Sequence, residues 1–410
     1  MQPLGTVVVG SGLAGITVAR QLRAEGYAGP ITVVGDEEEP PYDRPPLSKA
    51  LLTRSGPGRV GLMDADEAAA AGIELRSGSS AVALEPDAHR VHLDDAEPLT
   101  YASCVVATGS RVRRLPDFGE PRGLFYLRSM KDALALRDSL DGASRLVVVG
   151  AGFIGLEVAS AAVSLGVGVT VVEREAMPLT RVLGQHAGRL ARDLHVSNGV
   201  DLRCGAGVAR IVTGPGPDGT EEVQAVQLSD GATVPADVVV LGAGAVPNVE
   251  WLAGSGVVVD DGIVCDGHGR ASPDGVWAAG DVARWPNAVT GLHVRVEQWQ
   301  AALDQASIVA HNIAHPHEQR SWDSVPYFWS DQFGRKIQFC GHPGTGSRVL
   351  TSPGGPVVAF GSEELLTGVL TIGQPRVLAR ARRLVAERRS WSDLSDLVEA
   401  RPGPTFRPEG

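Results

Sequence analysis

The chain has 410 residues, with 37 basic and 48 acidic side chains and a formal net charge of −11. That balance excludes a protein whose main task is to hold nucleic acid, which needs a basic footprint. Hydrophobic residues make up 43% of the chain, yet no uncharged apolar run is long enough to cross a bilayer, so roughly two to four globular domains are expected, without a membrane span.

The first residues lack a basic-then-apolar leader and lead straight into a strand-like run, so export is not expected. Residues 5–15 read GTVVVGSGLAG: a β-branched run meets three glycines spaced GxGxxG. A helical pattern covers 16–25, Gly26 follows, and a second apolar run at 31–34 ends in Gly35, Asp36 and Glu37. The spacing predicts a βαβ unit that binds a dinucleotide. Gly10 makes the turn, Gly12 lets the backbone approach a pyrophosphate at the helix N-terminus, and Gly15 lets helix and strand pack. Asp36 or Glu37 can accept from ribose hydroxyls. The stretch YASCVVATGSR at 101–111 predicts a buried strand ending in a small, polar turn at Ala107, Thr108 and Gly109.

The glycine pattern returns as LVVVGAGFIG at 146–155, with a helix expected over 156–165 and a strand over 169–172. Glu173 ends that strand and Arg174 follows, so the chain carries two complete dinucleotide folds. The stretch ADVVVLGAGAVPN at 236–248, which holds Gly244, parallels 101–111. At 272–283, SPDGVWAAGDVA predicts a strand that delivers Gly280 and Asp281. A carboxylate there can accept from a sugar-chain hydroxyl. A helix is expected over 297–312. From about Trp322 the texture changes to short strands around 336–340, 348–350, 357–360 and 368–372. A basic helix over 375–389 then carries Arg376, Arg380, Arg382, Arg383, Arg388 and Arg389 against Glu387, completing a small α+β domain. The loop at 215–219 has no assigned role, and the Pro/Gly-rich tail from Arg401 is expected to fray.

On these segments the chain resembles, over nearly all its length, the FAD-dependent NAD(P)H:ferredoxin reductases of the glutathione-reductase fold. That family serves bacterial cytochrome P450 and aromatic-ring dioxygenase systems. PYDRPPLSK at 41–49, YLR at 126–128, AGD at 279–281 and FWSDQ at 328–332 carry the likeness beside the glycine units. The resemblance implies an α/β protein with two Rossmann-like dinucleotide-binding domains and a small α+β C-terminal domain. The FAD-binding domain would span 1–110 and 243–320, the NAD-binding domain 111–242, and the C-terminal domain 321–410.

It further implies that Gly10, Ser11, Gly12, Leu13 and Ala14 cradle the FAD pyrophosphate. Asp36 would meet the adenosine ribose, Val82 the adenine, and Arg128 the phosphate side. Arg44 and Lys49 would hold FAD, with Lys49 reaching towards the flavin ring. Gly280 and Asp281 would meet the ribityl chain, with Trp299 beside the flavin and Glu297 near the ring edge. The strand-end residues Ala107, Thr108, Gly109 and Gly244 would face the ligand crevice. Gly150, Gly152, Phe153, Ile154 and Gly155 resemble the NAD pyrophosphate loop, and Glu157 a carboxylate close to the nicotinamide. An acidic residue at the position of Glu173 accepts from a ribose 2′-OH and repels a 2′-phosphate, so NADH is expected over NADPH, with Arg174 softening the repulsion.

In such an enzyme hydride passes from nicotinamide to flavin, and electrons leave singly to an iron–sulfur ferredoxin, here expected to be [2Fe–2S]. Lys49 near Glu157 would be a charged pair beside the ring, or a structural salt bridge. Trp329 would stand at the flavin edge, or pack as a hinge aromatic. The cysteines Cys104, Cys204, Cys265 and Cys340 are far apart, and none lies just after the first βαβ unit, where RPPLSK stands at 44–49. Disulfide-reductase chemistry and a metal site are therefore not expected, and free thiols in a reducing cytoplasm are. Arg111, Arg113 and Arg114, or the Arg-rich helix, are candidate docking patches for an acidic partner. The stretch IGQP at 372–375 departs from the family, many of whose members carry Asn-Arg-Pro there. A monomer or weak dimer is expected. The alternatives are an NADH oxidase or quinone reductase, and an NADH-responsive flavoprotein similar to apoptosis-inducing factor.

Overall fold

The computed structural model describes residues 4–53, 60–287, 291–362 and 364–399; the tail from Arg401 lies outside them. Strand β1 (Gly5–Val9) leads into helix α1 (Leu13–Ala24) and strand β2 (Ile31–Gly35). The same succession returns as β3 (Arg145–Val149), α2 (Phe153–Ser164) and β4 (Gly168–Glu173). Further along lie helix α3 (Trp299–Ala314), strand β5 (Tyr327–Gln332) and helix α4 (Pro375–Ala386). The chain forms two compact units. One comprises residues 1–115, 126–134 and 243–324, and the other 116–125, 135–242 and 325–410.

The first unit is built on a parallel sheet in the order Ile73–Ser77, β2, β1, Leu99–Val106, Val276–Ala278. Strand order reverses beside β1, which opens a ligand crevice at the carboxyl ends of the central strands. Val7, Val8 and Val9 are all buried, as a central parallel strand covered on both faces requires. Helix α1 buries Val18, Ala19 and Leu22 and packs against α3. It stops at Gly26, whose φ of +81° lets the Tyr27 N–H donate back to the Leu22 carbonyl at 2.9 Å. A hairpin of Ala81–Glu85 and Arg90–Leu93 extends the sheet through Leu99–Val106.

The second unit repeats the plan, in the order Asp201–Cys204, β4, β3, Val238–Leu241, Leu124–Phe125. Beside it lies an antiparallel sheet of Val208–Pro215, Glu221–Leu228 and Thr233–Pro235, and the loop at 215–219 is its hairpin turn. The C-terminal segment adds five antiparallel strands in the order β5, Arg335–Gly341, Leu365–Ile372, Gly355–Ser362, Gly346–Ser352. Helix α4 and helix Trp391–Glu399 cover it around Val357, Val369, Leu378 and Leu394.

Two helices differ from the pattern: α3 keeps its expected 16 residues but lies two positions later, and α4 is three residues shorter. α3 begins at Trp299 because Gln298 is extended (φ −133°, ψ 139°), and α4 ends at Ala386, ahead of Arg388 with φ +53°. The departure at 372–375 has a structural use. Gln374 is buried and its amide donates to the Gly355 and Pro356 carbonyls at 3.1 and 3.3 Å, holding the neighbouring hairpin.

Candidate functional site

In each unit the glycine-loop positions do different work. Gly10 has φ +115°, and a Cβ there would lie 2.1 Å from the Ala107 carbonyl oxygen. A Cβ on Gly15 would lie 1.8 Å from the Gly10 oxygen. Both are glycine because the chain's own backbone leaves no room. Gly12 is different: its φ is −75°, and a Cβ there would meet nothing within 4 Å. Nothing in the protein demands glycine at that position, and the open space beside it leaves room for a group to approach the backbone from outside. Gly12 is also the N-cap of α1, with no side-chain cap and no acid in the first turn, so the amides of Leu13 and Ala14 are left for an external anion.

The second unit reproduces this. Gly150 (φ +101°) and Gly155 are closed by the Gly242 and Gly150 oxygens, at 2.4 and 2.3 Å from a built Cβ. Gly152, the N-cap of α2, has open space and no side-chain cap, and Phe153 and Ile154 follow it. Two uncapped helix ends with bare amides fit two dinucleotide pyrophosphates.

Around the first loop, Gly35 makes room for Ser11, whose Oγ would lie 2.1 Å from a Cβ. Of the two acids after β2, Asp36 is exposed, while Glu37 accepts from Tyr42 and from Arg44 at 2.6 Å. Val82 is 50% exposed, an apolar side chain on strand Ala81–Glu85 that faces solvent. The segment at 41–49 is tied down residue by residue. Tyr42 is buried, which pushes its hydroxyl up to about 12, and accepts from the Met130 N–H at 2.9 Å. Asp43 accepts from the Trp299 indole N–H at 2.9 Å, and burial raises its carboxyl. Arg44 donates to the Arg128 carbonyl at 2.8 Å. Arg128 in turn donates to the Ser110 carbonyl at 2.7 Å and to Asp281 at 3.1 Å. Lys49 donates to the Pro45 carbonyl at 3.1 Å.

Thr108 donates to the Asn248 carbonyl at 2.8 Å and accepts the Asn248 amide on its own carbonyl at 2.9 Å, which fixes the turn before Gly109. The Gly280 N–H donates to Gln305, and a Cβ on Gly280 would lie 2.9 Å from that of Ala14. Asp281 is thereby held beside the start of α1. Gly244 takes φ +93°. Glu297 is exposed and pairs with Arg295. Residues scattered through the chain, Arg44, Arg128, Asp281 and Trp299, thus converge in one network. Sequence reasoning missed four of its partners: Tyr42, Asp43, Asn248 and Gln305. The first two lie inside a quoted motif and Asn248 ends the stretch at 236–248, whereas Gln305 carries no local signal.

In the second unit Glu173 accepts from the Ala151 N–H at 2.7 Å and from the Glu175 N–H at 2.9 Å, so its carboxylate is held at the loop, with exposed Arg174 next to it. Ile154 is 48% exposed. Glu157 is buried and accepts from the Ser330 hydroxyl at 2.5 Å. The Phe153 ring meets Phe328 edge-on at 4.6 Å, and Trp329 stacks on Tyr327 at 6.2 Å with Lys336 over its face. Ser330, a further partner missed in the sequence, sits inside the WSDQ motif. Lys49 belongs to the first unit and Glu157 to the second.

The arginine candidates are not equivalent. Arg111 makes a double contact with Glu250, at 2.5 and 2.9 Å, and these bonds hold the Glu250 carboxyl below its usual range. Arg114 lies over the Tyr126 ring, and Arg113 is exposed. No helix among the described residues is long and apolar enough to cross a membrane.

Residues 5–306 match the family model of the pyridine nucleotide-disulphide oxidoreductases, and residues 327–399 match the reductase C-terminal domain. The ferredoxin–NAD(+) reductase component of the anthranilate 1,2-dioxygenase system from Burkholderia cepacia is 39% identical, over 93% of this chain and 93% of its own. Rhodocoxin reductase from Rhodococcus erythropolis is 38% identical, over 93% and 90%. Among solved structures, putidaredoxin reductase in its covalent complex with putidaredoxin superposes with a TM-score of 0.89 at 32% identity, covering 98% of this chain and all of that one. With both glycine loops and the C-terminal sheet accounted for, the chain belongs to the pyridine nucleotide-disulphide oxidoreductases, among the ferredoxin–NAD(+) reductases.

Proposed function

We propose that this enzyme binds FAD in a domain made of residues 1–110 and 243–320 and NADH in residues 111–242. Residues 321–410 form its C-terminal domain. It passes single electrons to a [2Fe–2S] ferredoxin that feeds a cytochrome P450 or a ring-hydroxylating oxygenase, as a cytoplasmic monomer or weak dimer. The observation that carries this reading is the pair Gly12 and Gly152, each glycine without a packing reason at an uncapped helix start. The relatives' names add the acceptor: the 39% identical protein is a ferredoxin–NAD(+) reductase component of a dioxygenase system.

A bound flavin would supply two-electron acceptance from a nicotinamide and one-electron release. The chain's own residues position it. The amides of Leu13 and Ala14 hold the pyrophosphate, with Ser11 close by, and Asp36 accepts from the adenosine ribose. Val82 covers the adenine. Arg44, Arg128 and Asp281 form a pre-assembled set of charges on the phosphate and ribityl side. Lys49, Trp299 and Glu297 would be the side chains on the ring side of a bound flavin. In the second unit the amides of Phe153 and Ile154 hold the NADH pyrophosphate, and Glu157 is the carboxylate assigned to the nicotinamide. Trp329 is the aromatic assigned to the electron exit. NADH is the preferred nucleotide because the Glu173 carboxylate, fixed by two backbone amides, would accept from a ribose 2′-OH and repel a 2′-phosphate.

The test is stopped-flow reduction of the yellow holoprotein by each nucleotide, then mixing with ferredoxins. NADH is expected to bleach the flavin at least about 10-fold faster than NADPH, and Glu173→Gln to narrow that ratio by about 10-fold, or ~1.4 kcal/mol. Rapid delivery to one ferredoxin supports the reading. Fast bleaching followed only by reoxidation with oxygen or quinone replaces it with an oxidase or quinone reductase. No bleaching by either nucleotide removes the assignment of the second glycine loop.

A further inference from the structure

A cluster of three ligating side chains stands at the opposite end of α1 from its glycine loop. Glu25 caps the C-terminus of α1, His311 lies in the last turn of α3, and His315 caps the C-terminus of α3. One ligand atom from each lies within 4.8 Å of the others. The Glu25 Oε2 is 3.3 Å from His311 Nδ1 and 3.1 Å from His315 Nε2. At 1.5 Å per residue, α1 places this cluster about 18 Å from the phosphate loop.

His311 is 4% exposed, and its Nδ1 has no hydrogen-bond partner among the described residues. Its Nε2 lies 2.9 Å from the Glu318 carbonyl oxygen. That oxygen can only accept, so Nε2 carries the proton. In the neutral ring Nδ1 then presents a lone pair to a carboxylate oxygen, two acceptors facing each other across a buried gap. Something positive belongs between them. The carbonyl bond to Nε2 is also the outer-shell contact that orients a metal-binding histidine. Two helix C-termini meet here, and both bring negative partial charge.

We propose that Glu25, His311 and His315 form a binding site for a zinc-like divalent cation, which staples the C-termini of α1 and α3. At metal–ligand distances of about 2.0–2.1 Å, adjacent ligands of a tetrahedral ion are ~3.3 Å apart. The two contacts to Glu25 already have that spacing. Two imidazoles and a carboxylate are the donor set that borderline ions favour. His315 is 38% exposed, which leaves a solvent path and a coordination position for water. The other Glu25 oxygen accepts from Gln21 at 3.2 Å and faces Arg320 at 3.9 Å, so it stays outside the coordination sphere. Arg320 is itself 60% exposed and free to turn outward.

The test uses the untagged, flavin-loaded protein after chelator treatment, titrated with Zn²⁺ by calorimetry and followed by thermal melting. One equivalent per chain and a raised Tm are expected. Glu25→Gln, close in shape, and His315→Ala, at a part-exposed position, should each weaken binding by at least about 100-fold, more than loss of an outer-shell partner costs. Cys204→Ser should leave it unchanged, since Cys204 is the one cysteine that is not buried. Metal-free melts of the variants report whether they fold. Binding that survives both substitutions overturns the proposal, as does the absence of saturable binding below about 1 mM.

Discussion

Gly12 and Gly10 stand two residues apart and are glycine for opposite reasons, which makes them separable by experiment. A side chain on Gly10 would combine a left-handed backbone with a 2.1 Å contact to the Ala107 carbonyl oxygen. Gly10→Ala is expected to destabilise the first unit by about 3 kcal/mol or more. A side chain on Gly12 would meet only open space. Gly12→Ala should keep stability within about 1 kcal/mol, the range for N-cap changes, yet lower flavin affinity at least ~10-fold. Thermal melts of the apoprotein and flavin titrations separate the two effects, and equal loss of both in Gly12→Ala would refute the argument. The same comparison shows what sequence can say at this scale. The GxGxxG spacing names both residues, but the distinction between packing glycine and ligand glycine depends on which backbone lies opposite. The spacing alone likewise leaves Asp36 and Glu37 open; the resemblance names Asp36, and in the fold Arg44 pairs with Glu37.

At the level of elements, both βαβ units were legible because each link is local: a β-branched run, a glycine turn, a helical run and a glycine stop. The ties between α2 and the C-terminal sheet were not, because they join residues about 170 positions apart. Ser330 donates to Glu157 at 2.5 Å and accepts from Gln332 at 2.9 Å, and Ser160 accepts the Phe333 N–H at 2.7 Å. Ser330→Ala removes a donor to a buried carboxylate and an acceptor for a buried amide. It should cost about 1–3 kcal/mol and raise KM for NADH if Glu157 is positioned through this bond. An unchanged KM with lowered stability would leave Ser330 a purely structural role. His195, in the helix Thr180–Ser197, joins the same tie, with Nε2 3.2 Å from the Leu156 carbonyl and its ring edge-on to Phe333 at 5.0 Å. Burial holds it below the ordinary value of 6.5. The unfolded chain therefore binds the extra proton first as pH falls. The contribution to stability is complete above 6.5 and is lost progressively below it. Melts between about pH 5 and 8 should show this loss in the parent and a flatter profile in His195→Gln; His342, also held low by burial, accounts for a residual slope. Equal slopes in both proteins would assign the effect elsewhere.

For the molecule as a whole, a net charge of −11 would repel an acidic electron acceptor, so local arginines are the candidates for docking one against the background field. Counting arginines in the sequence overstates the candidates. Arg111 is neutralised by Glu250, Arg383 pairs with Glu387 at 2.6 Å, and Arg389 pairs with Asp393 at 2.9 Å. Arg382 is spent on the Val325 carbonyl and the Tyr327 ring. Arg113, Arg376 and Arg380 are exposed and make none of these pairs. The first belongs to the first unit and the other two to α4, so two variants separate the patches. If α4 docks the acceptor, Arg376→Glu with Arg380→Glu should lower the second-order rate of ferredoxin reduction by about 10-fold at low ionic strength. The deficit should shrink as salt rises past about 0.1 M, where the Debye length falls to ~10 Å. Flavin reduction by NADH should not change in that variant. Arg113→Glu should then leave the ferredoxin rate within about 2-fold of the parent, because an exposed charge outside the docking patch is screened by salt. The reverse pattern would move the docking surface to the first unit. A parent rate that does not fall with salt would remove electrostatic steering from the account altogether, and with it the reason for an arginine-rich α4 on an acidic protein.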